Sequence, residues 1–131
     1  MVLHELPANI TDARNAVAQL RNHPSLLVWM LPSRSSAADL HGMVEAIRKL
    51  DASRSIGRIL EPNEPLDSMG PVDLLLLPIG HPAIGSNSLG KPYIVTANTP
   101  APPSSPAEFE ARMTAIRDSH GSPPGLVGVI L

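Results

Sequence analysis

The residues with the strongest claim on chemistry lie in one glycine-rich connection between two apolar runs. Gly80, His81, Gly85, Ser86, Ser88, Gly90 and Lys91 fall between Leu74–Leu77 and Tyr93–Ala97. Within this connection, Gly85-Ser-Asn-Ser-Leu-Gly90-Lys91-Pro92 matches G-x-x-x-x-G-K, with proline where a P-loop has the hydroxyl that ligates magnesium. A P-loop also opens a helix, whose first N–H groups cradle the phosphates. Here Pro92-Tyr-Ile-Val-Thr opens a β-type run instead. What survives is a looser expectation: glycine-rich backbone plus Lys91 binding a small anion, such as a phosphate or a nucleotide, at the carboxyl end of the strand that begins at Leu74.

His81 adds a candidate general base, with Ser86 and Ser88 downstream and Asp73 upstream. Asp73 begins the strand that His81 follows, so a local Ser–His–Asp triad would have to bridge about 23 Å of extended chain. Glu61, Glu64, Asp67 and Asp73 concentrate oxygen ligands over a short span, but their spacing fits no EF-hand. The five histidines show no zinc-site spacing. The sequence therefore assigns no metal, no cofactor and no catalytic set.

Composition narrows the remaining classes. The 131 residues include no cysteine, which removes disulfides, thiolate metal sites and cysteine nucleophiles. One Trp, one Tyr and one Phe give nucleic-acid bases almost nothing to stack on. A net charge of −2 with no basic stripe offers no phosphate-backbone footprint. No apolar run approaches the ~20 residues that span a bilayer, and the first residues have no signal-peptide character, so a cytoplasmic protein is expected. Eight Arg against two Lys, with many Ala and Pro, suggests a GC-rich, bacterial source.

The elements that must position these residues alternate. Ala13, Ala16, Val17 and Leu20 form one helical face after a cap at Thr11, and His23-Pro24 ends that helix. Ser25–Leu31 reads as a strand buried on both faces. Ser36 with Asp39 has capping-box spacing ahead of the stripe Leu40, Met43, Val44, Ile47. Ser55–Leu60, Val72–Ile79 and Tyr93–Asn98 read as further strands. Ser105-Pro106-Ala107-Glu108 starts a third helix, with Phe109, Met113 and Ile116 expected inward and Gly121 as its C-terminal glycine. Gly125–Leu131 is a last strand.

The order α-β-α-β-β-β-α-β predicts a single α/β domain over residues 1–131. Its class is three-layer and flavodoxin-like (Rossmann-like), with about five mostly parallel strands and three helices. Asp73-Leu-Leu-Leu-Leu-Pro78 followed by Lys91-Pro-Tyr-Ile-Val-Thr96-Ala97 resembles two consecutive strands of response-regulator receiver domains. Pro78 stands at the phosphate-accepting aspartate of that family, and Pro32-Ser33 replaces its acidic pair. The resemblance thus implies at most a pseudo-receiver that takes no phosphate.

These features support two functional expectations. The first is a non-catalytic protein-interaction, regulatory or structural module working in a homo-oligomer or larger complex. The final apolar strand and the proline-stiffened segments 61–71 and 99–106 would serve docking, and that strand's position at the terminus suggests a piece of a longer protein or an edge that a partner completes. The second is a small-ligand, nucleotide or phosphate-binding domain, enzymatic or not, using the 80–91 loop.

Overall fold

A computed structural model describes residues 2–33, 36–78, 81–84, 90–96, 105–120 and 126–130. The elements in chain order are β1 (Val2–Glu5), α1 (Ile10–Leu20), β2 (Leu26–Leu31), α2 (Ala37–Leu50), β3 (Ser55–Ile59), β4 (Leu74–Pro78), β5 (Tyr93–Thr96), α3 (Pro106–His120) and β6 (Leu126–Ile130), with a short 3₁₀ turn at Leu66–Ser68. The six described strands form one sheet, every pairing is parallel, and the order across the sheet is the order along the chain.

That order decides the architecture. A doubly wound, flavodoxin-like sheet reverses direction, which places helices on both faces and creates a switch point. This sheet never reverses. Right-handed crossovers between successive neighbours then keep the connections on one side, and α1 and α2 share one core cluster: Ala13 and Val17 with Leu40, Met43, Val44 and Ile47. The α/β class, the parallel pairing and the three helices expected from the sequence stand. The flavodoxin-like arrangement and the pseudo-receiver do not match this strand order.

Side-chain alternation divides the sheet into two faces. Trp29 and Leu31 of β2, Ile56 of β3, Leu75 and Leu77 of β4, and Tyr93 and Val95 of β5 pack in the cluster that contains the helices. Val28, Met30, Leu74 and Leu76 form a smaller cluster, joined by Leu3, Ile59 and Ile94, and no residue of α1 or α2 belongs to it. Gly57 lies between them, paired with Met30 on one side and Leu74 on the other. A Cβ on Gly57 would stand 2.5 Å from the Met30 sulfur. Met30 thus crosses the bare backbone of β3, and this lets side chains from two strands apart share one core.

Local signals mostly act as read. Ser36 caps α2, its Oγ accepting from the Asp39 N–H at 3.2 Å. Ser105 accepts from the Glu108 N–H at 3.2 Å. Two details differ. The cap of α1 is Asn9, not Thr11, since Asn9 Oδ1 accepts from both the Thr11 and Asp12 N–H groups. Phe109 is 47% exposed rather than inward. The side chains of Met113 and Ile116, and Gly121, lie outside the described residues.

Candidate functional site

In a parallel sheet of this kind every strand points its carboxyl end to the same edge, and ligand-handling residues gather there. The segments that leave β2, β3 and β4 build that edge. Arg58, in the middle of an otherwise apolar strand, is its anchor. It is 1% exposed, with Nη2 donating to the Ser33 carbonyl at 3.1 Å and to the Glu64 carboxylate. Burial pushes the guanidinium pKa below its ordinary value, and the facing Glu64 charge opposes that shift. Glu64 in turn accepts from the Ser68 hydroxyl at 3.0 Å and from the Glu61 N–H at 3.1 Å. Glu61, exposed just beyond β3, accepts from the Ser33 hydroxyl at 2.9 Å. One buried cation therefore ties the turn after β2 to the segment after β3. Arg58 Nε and Nη1 have no hydrogen-bond partner among the described residues.

His81 closes the same edge from β4. It is 3% exposed, its Nδ1 accepts from the Ala83 N–H at 3.1 Å, and the proton is accordingly on Nε2, which donates to the Glu64 carbonyl at 3.2 Å. Both ring nitrogens are engaged with backbone, so this histidine holds the rim together. A cleft of about 300 Å³ opens beside it, walled by Asn63, Glu64, Pro65, Leu66, His81, Pro82 and Ala83.

In the connection between β4 and β5, the described residues His81 and Lys91 do not converge on one site. The connection leaves the carboxyl end of β4 and must return to the amino end of β5. Lys91 accordingly sits at the opposite edge, where Nζ donates to the Val72 carbonyl and its charge acts on Asp73. His81 and Lys91 are separated by the length of β4. Gly90, with φ +57°, turns the chain beside Lys91. Gly80, Gly85, Ser86 and Ser88 lie outside the described residues. The acidic group divides similarly: Glu61, Glu64 and Asp67 are on the rim, whereas Asp73 is at the amino edge, accepting from Ile56 N–H at 2.9 Å and from Arg48 at 2.8 Å. Among the described residues, no three His, Asp or Glu side chains are grouped to hold a metal ion.

The amino edge carries a second polar knot. Asp51, 6% exposed, accepts from Trp29 Nε1 at 3.0 Å, from the Ser53 hydroxyl at 2.6 Å and from Arg54 at 2.7 Å. Burial opposes its ionisation, but these donors outweigh that penalty and hold the carboxyl well below the usual range. Sequence reasoning missed both Arg58 and Asp51. The available signal was a lone arginine inside Ser-Ile-Gly-Arg-Ile-Leu, because a charge in a buried strand needs a partner.

Residues 3–65 match the family model described as glycosyl hydrolases family 2, TIM barrel domain. No curated protein matches the sequence. Among solved structures, the β-D-glucuronidase of Dictyoglomus thermophilum is similar over 92% of this chain and 27% of its own, at 17% identity and a TM-score of 0.60. The family 2 β-galacturonidase of Eisenbergiella tayi, bound to galacturonate, is similar over 95% of this chain and 29% of its own, at 16% identity and a TM-score of 0.62. The chain thus spans under a third of the length of either enzyme. These findings overturn the expectation of a non-catalytic interaction or regulatory subunit, because both the family model and the solved structures are glycosidases. They equally replace the expected phosphate- or nucleotide-binding function, and of the loop residues offered for it the described His81 and Lys91 lie at opposite edges of the sheet. At these identities the solved structures establish the fold: nearly the whole chain folds as a portion of two glycosidases does.

Proposed function

We propose that this chain is a portion of a glycoside-hydrolase-type barrel and handles a glycoside at the carboxyl ends of its strands. The observation that carries this reading is the match of residues 3–65 to the family 2 barrel model, on a sheet whose six described strands are parallel and succeed one another in chain order. That arrangement suits an arc of a (β/α)₈ barrel, a fold whose active site occupies the carboxyl-end face.

Glycoside hydrolysis breaks the bond between the anomeric carbon and the leaving oxygen. A carboxylic acid protonates that oxygen, a second carboxylate activates water or attacks directly, and water finally supplies the new hydroxyl. The two carboxylates stand about 5 to 9.5 Å apart. The first three strands and their loops offer Glu5, Glu61 and Glu64 at or beyond their carboxyl ends. Glu5 is level with Met30 and thus with Gly57, two strands over and four residues below Glu61. This places Glu5 roughly 16 Å from Glu61, too far to form a pair. Glu64 is held by Arg58. Glu61 and Asp67 are the exposed carboxylates of the segment after β3, and Glu61 accepts from the Ser33 hydroxyl.

The test is a panel of nitrophenyl glycosides offered to the protein and to its Glu61→Gln variant. The expected outcome is binding of a glycoside by the parent, weakened in the variant at unchanged melting temperature, since hydrolysis needs a second carboxylate that the described rim does not pair with Glu61. Hydrolysis at full rate by the variant would place the reacting carboxylates on other strands. Neither hydrolysis nor binding of any glycoside would end the reading.

A further inference from the structure

We infer that His81 is a pH-sensitive latch that holds the turn after β4 against the segment after β3 while its ring is neutral. The latch is independent of the glycoside reading, because it concerns a ring and a turn and not a sugar. Two backbone bonds shape the turn: His81 N–H donates to the Pro78 carbonyl at 3.0 Å, and Ile84 N–H donates to the His81 carbonyl at 3.0 Å. Ala83, 5% exposed, anchors it in the core cluster that contains α1 and α2. The ring then links two segments. Its Nδ1 accepts from the Ala83 N–H at 3.1 Å inside the turn, and its Nε2 donates to the Glu64 carbonyl at 3.2 Å in the other segment. Residues 63–66 of one segment and 81–83 of the other line the same cleft.

Only the neutral ring makes both bonds. A second proton can enter only at Nδ1, where it would face the Ala83 N–H, donor against donor. At 3% exposure the charged ring would also lack water. Ala83 is fixed by its packing, so the ring is the part that yields. It turns toward solvent and gives up the Glu64 carbonyl as well, and the cleft loses a bond between its two lining segments. The other charged groups facing the ring belong to the segment after β3 and to β3 itself. Glu64 is bound by Arg58 and the Ser68 hydroxyl, Glu61 accepts from the Ser33 hydroxyl, and Asp67 is exposed. β4 and β5 end at this edge in Pro78 and Thr96, and residues 82–84 carry no charge. Free carboxyls titrate at about 4 and arginine stays charged. Histidine is therefore the group that changes charge between about pH 7.5 and about pH 5.5.

Nitrogen-15 NMR of the imidazole ring and backbone hydrogen exchange, followed over that range, test the latch. At the upper pH the ring should be the neutral tautomer with its proton on Nε2. Opening exposes a free ring that charges at about 6.5, and the open population rises up to about tenfold per pH unit below that value. The protection factor of the Ala83 amide should therefore fall about tenfold by about pH 5.5, while that of Leu75 in β4 stays constant. His81→Asn keeps an acceptor within reach of the Ala83 N–H, as in an Asx turn, and takes no proton. Its Ala83 protection should not change over the same range. A neutral ring carrying its proton on Nδ1 would overturn the latch. So would constant Ala83 protection in the parent, an equal fall at Leu75, which signals global unfolding, or an equal fall in His81→Asn. The ring tautomer and the contrast between Ala83 and Leu75 are read on the parent, so they decide the matter even if the variant does not fold.

Discussion

Burying a guanidinium is tolerable only when a counter-charge and hydrogen bonds replace its water. Arg58 meets that condition through Glu64 and the Ser33 carbonyl, and it does so at 1% exposure. Breaking one side of such a pair costs more than removing both, because the orphaned charge stays in the low-dielectric interior. Glu64→Gln should therefore lower unfolding free energy by about 3 kcal/mol, and Arg58→Met in the same background should recover a large part of that loss. Urea unfolding of the two single variants and the double variant measures the coupling. An additive result would mean that Glu64 does not compensate Arg58 and that the rim is held by its backbone contacts alone.

At the scale of elements, the contact between β2 and β3 is set by an absent side chain. Met30 occupies the space above Gly57, with its sulfur and terminal methyl 2.5 and 2.9 Å from where a Cβ would lie. Met is flexible, so alanine forces only a rotamer change. Valine is β-branched and fills the gap from a fixed position. Gly57→Val should destabilise the fold by about 2 kcal/mol despite the better strand propensity of valine, and Met30→Ala in the same chain should relieve part of the strain. A thermal scan of both variants checks this, and a neutral Gly57→Val would show that β2 and β3 have room to separate. The same contact explains what could be read from the sequence. Periodicity and capping gave α1, α2, α3 and five of the strands, because those signals are local. β1 has only four residues, and its evidence is its pairing with β2 across an intervening helix, so it is not among the strands expected from the sequence. The site was harder. Glycines and a lysine drew attention to residues 80–91, yet once the flanking strands are parallel the two ends of that connection cannot meet. Arg58 and Asp51 matter through partners on other strands and helices, information that no short window of sequence contains.

Across the whole molecule the two edges of the sheet carry different polar clusters. The carboxyl edge holds the cleft, Glu61 and the Arg58 anchor. The amino edge holds Asp51 under Trp29 and Arg54, and Asp73 under Ile56, Arg48 and Lys91. In (β/α)₈ barrels the amino face serves stability and the carboxyl face chemistry, and the proposed function assigns this sheet's edges in the same way. Burial works against ionisation of Asp51 and Asp73, but their donors prevail and both carboxyls lie below their ordinary value of 3.8. A carboxyl whose pKa is lower folded than unfolded contributes stability above its unfolded pKa and loses it as pH falls through the folded one. The melting temperature should therefore drop between about pH 5 and pH 2. Asp51→Asn should be less stable than the parent at pH 7, with the difference shrinking as acid removes the contribution that the variant already lacks. A gap that stays constant down to pH 2 would show that Asp51 acts through packing and not through its charge. Lys91→Ala provides the complementary control: Lys91 donates to the Val72 carbonyl and its charge acts on Asp73 at the amino edge, so its loss should lower stability slightly and leave glycoside binding at the opposite edge unchanged. If Lys91→Ala instead abolished binding, the functional face would have to be moved to the amino ends of the strands, against the direction that every parallel pairing in the sheet gives it.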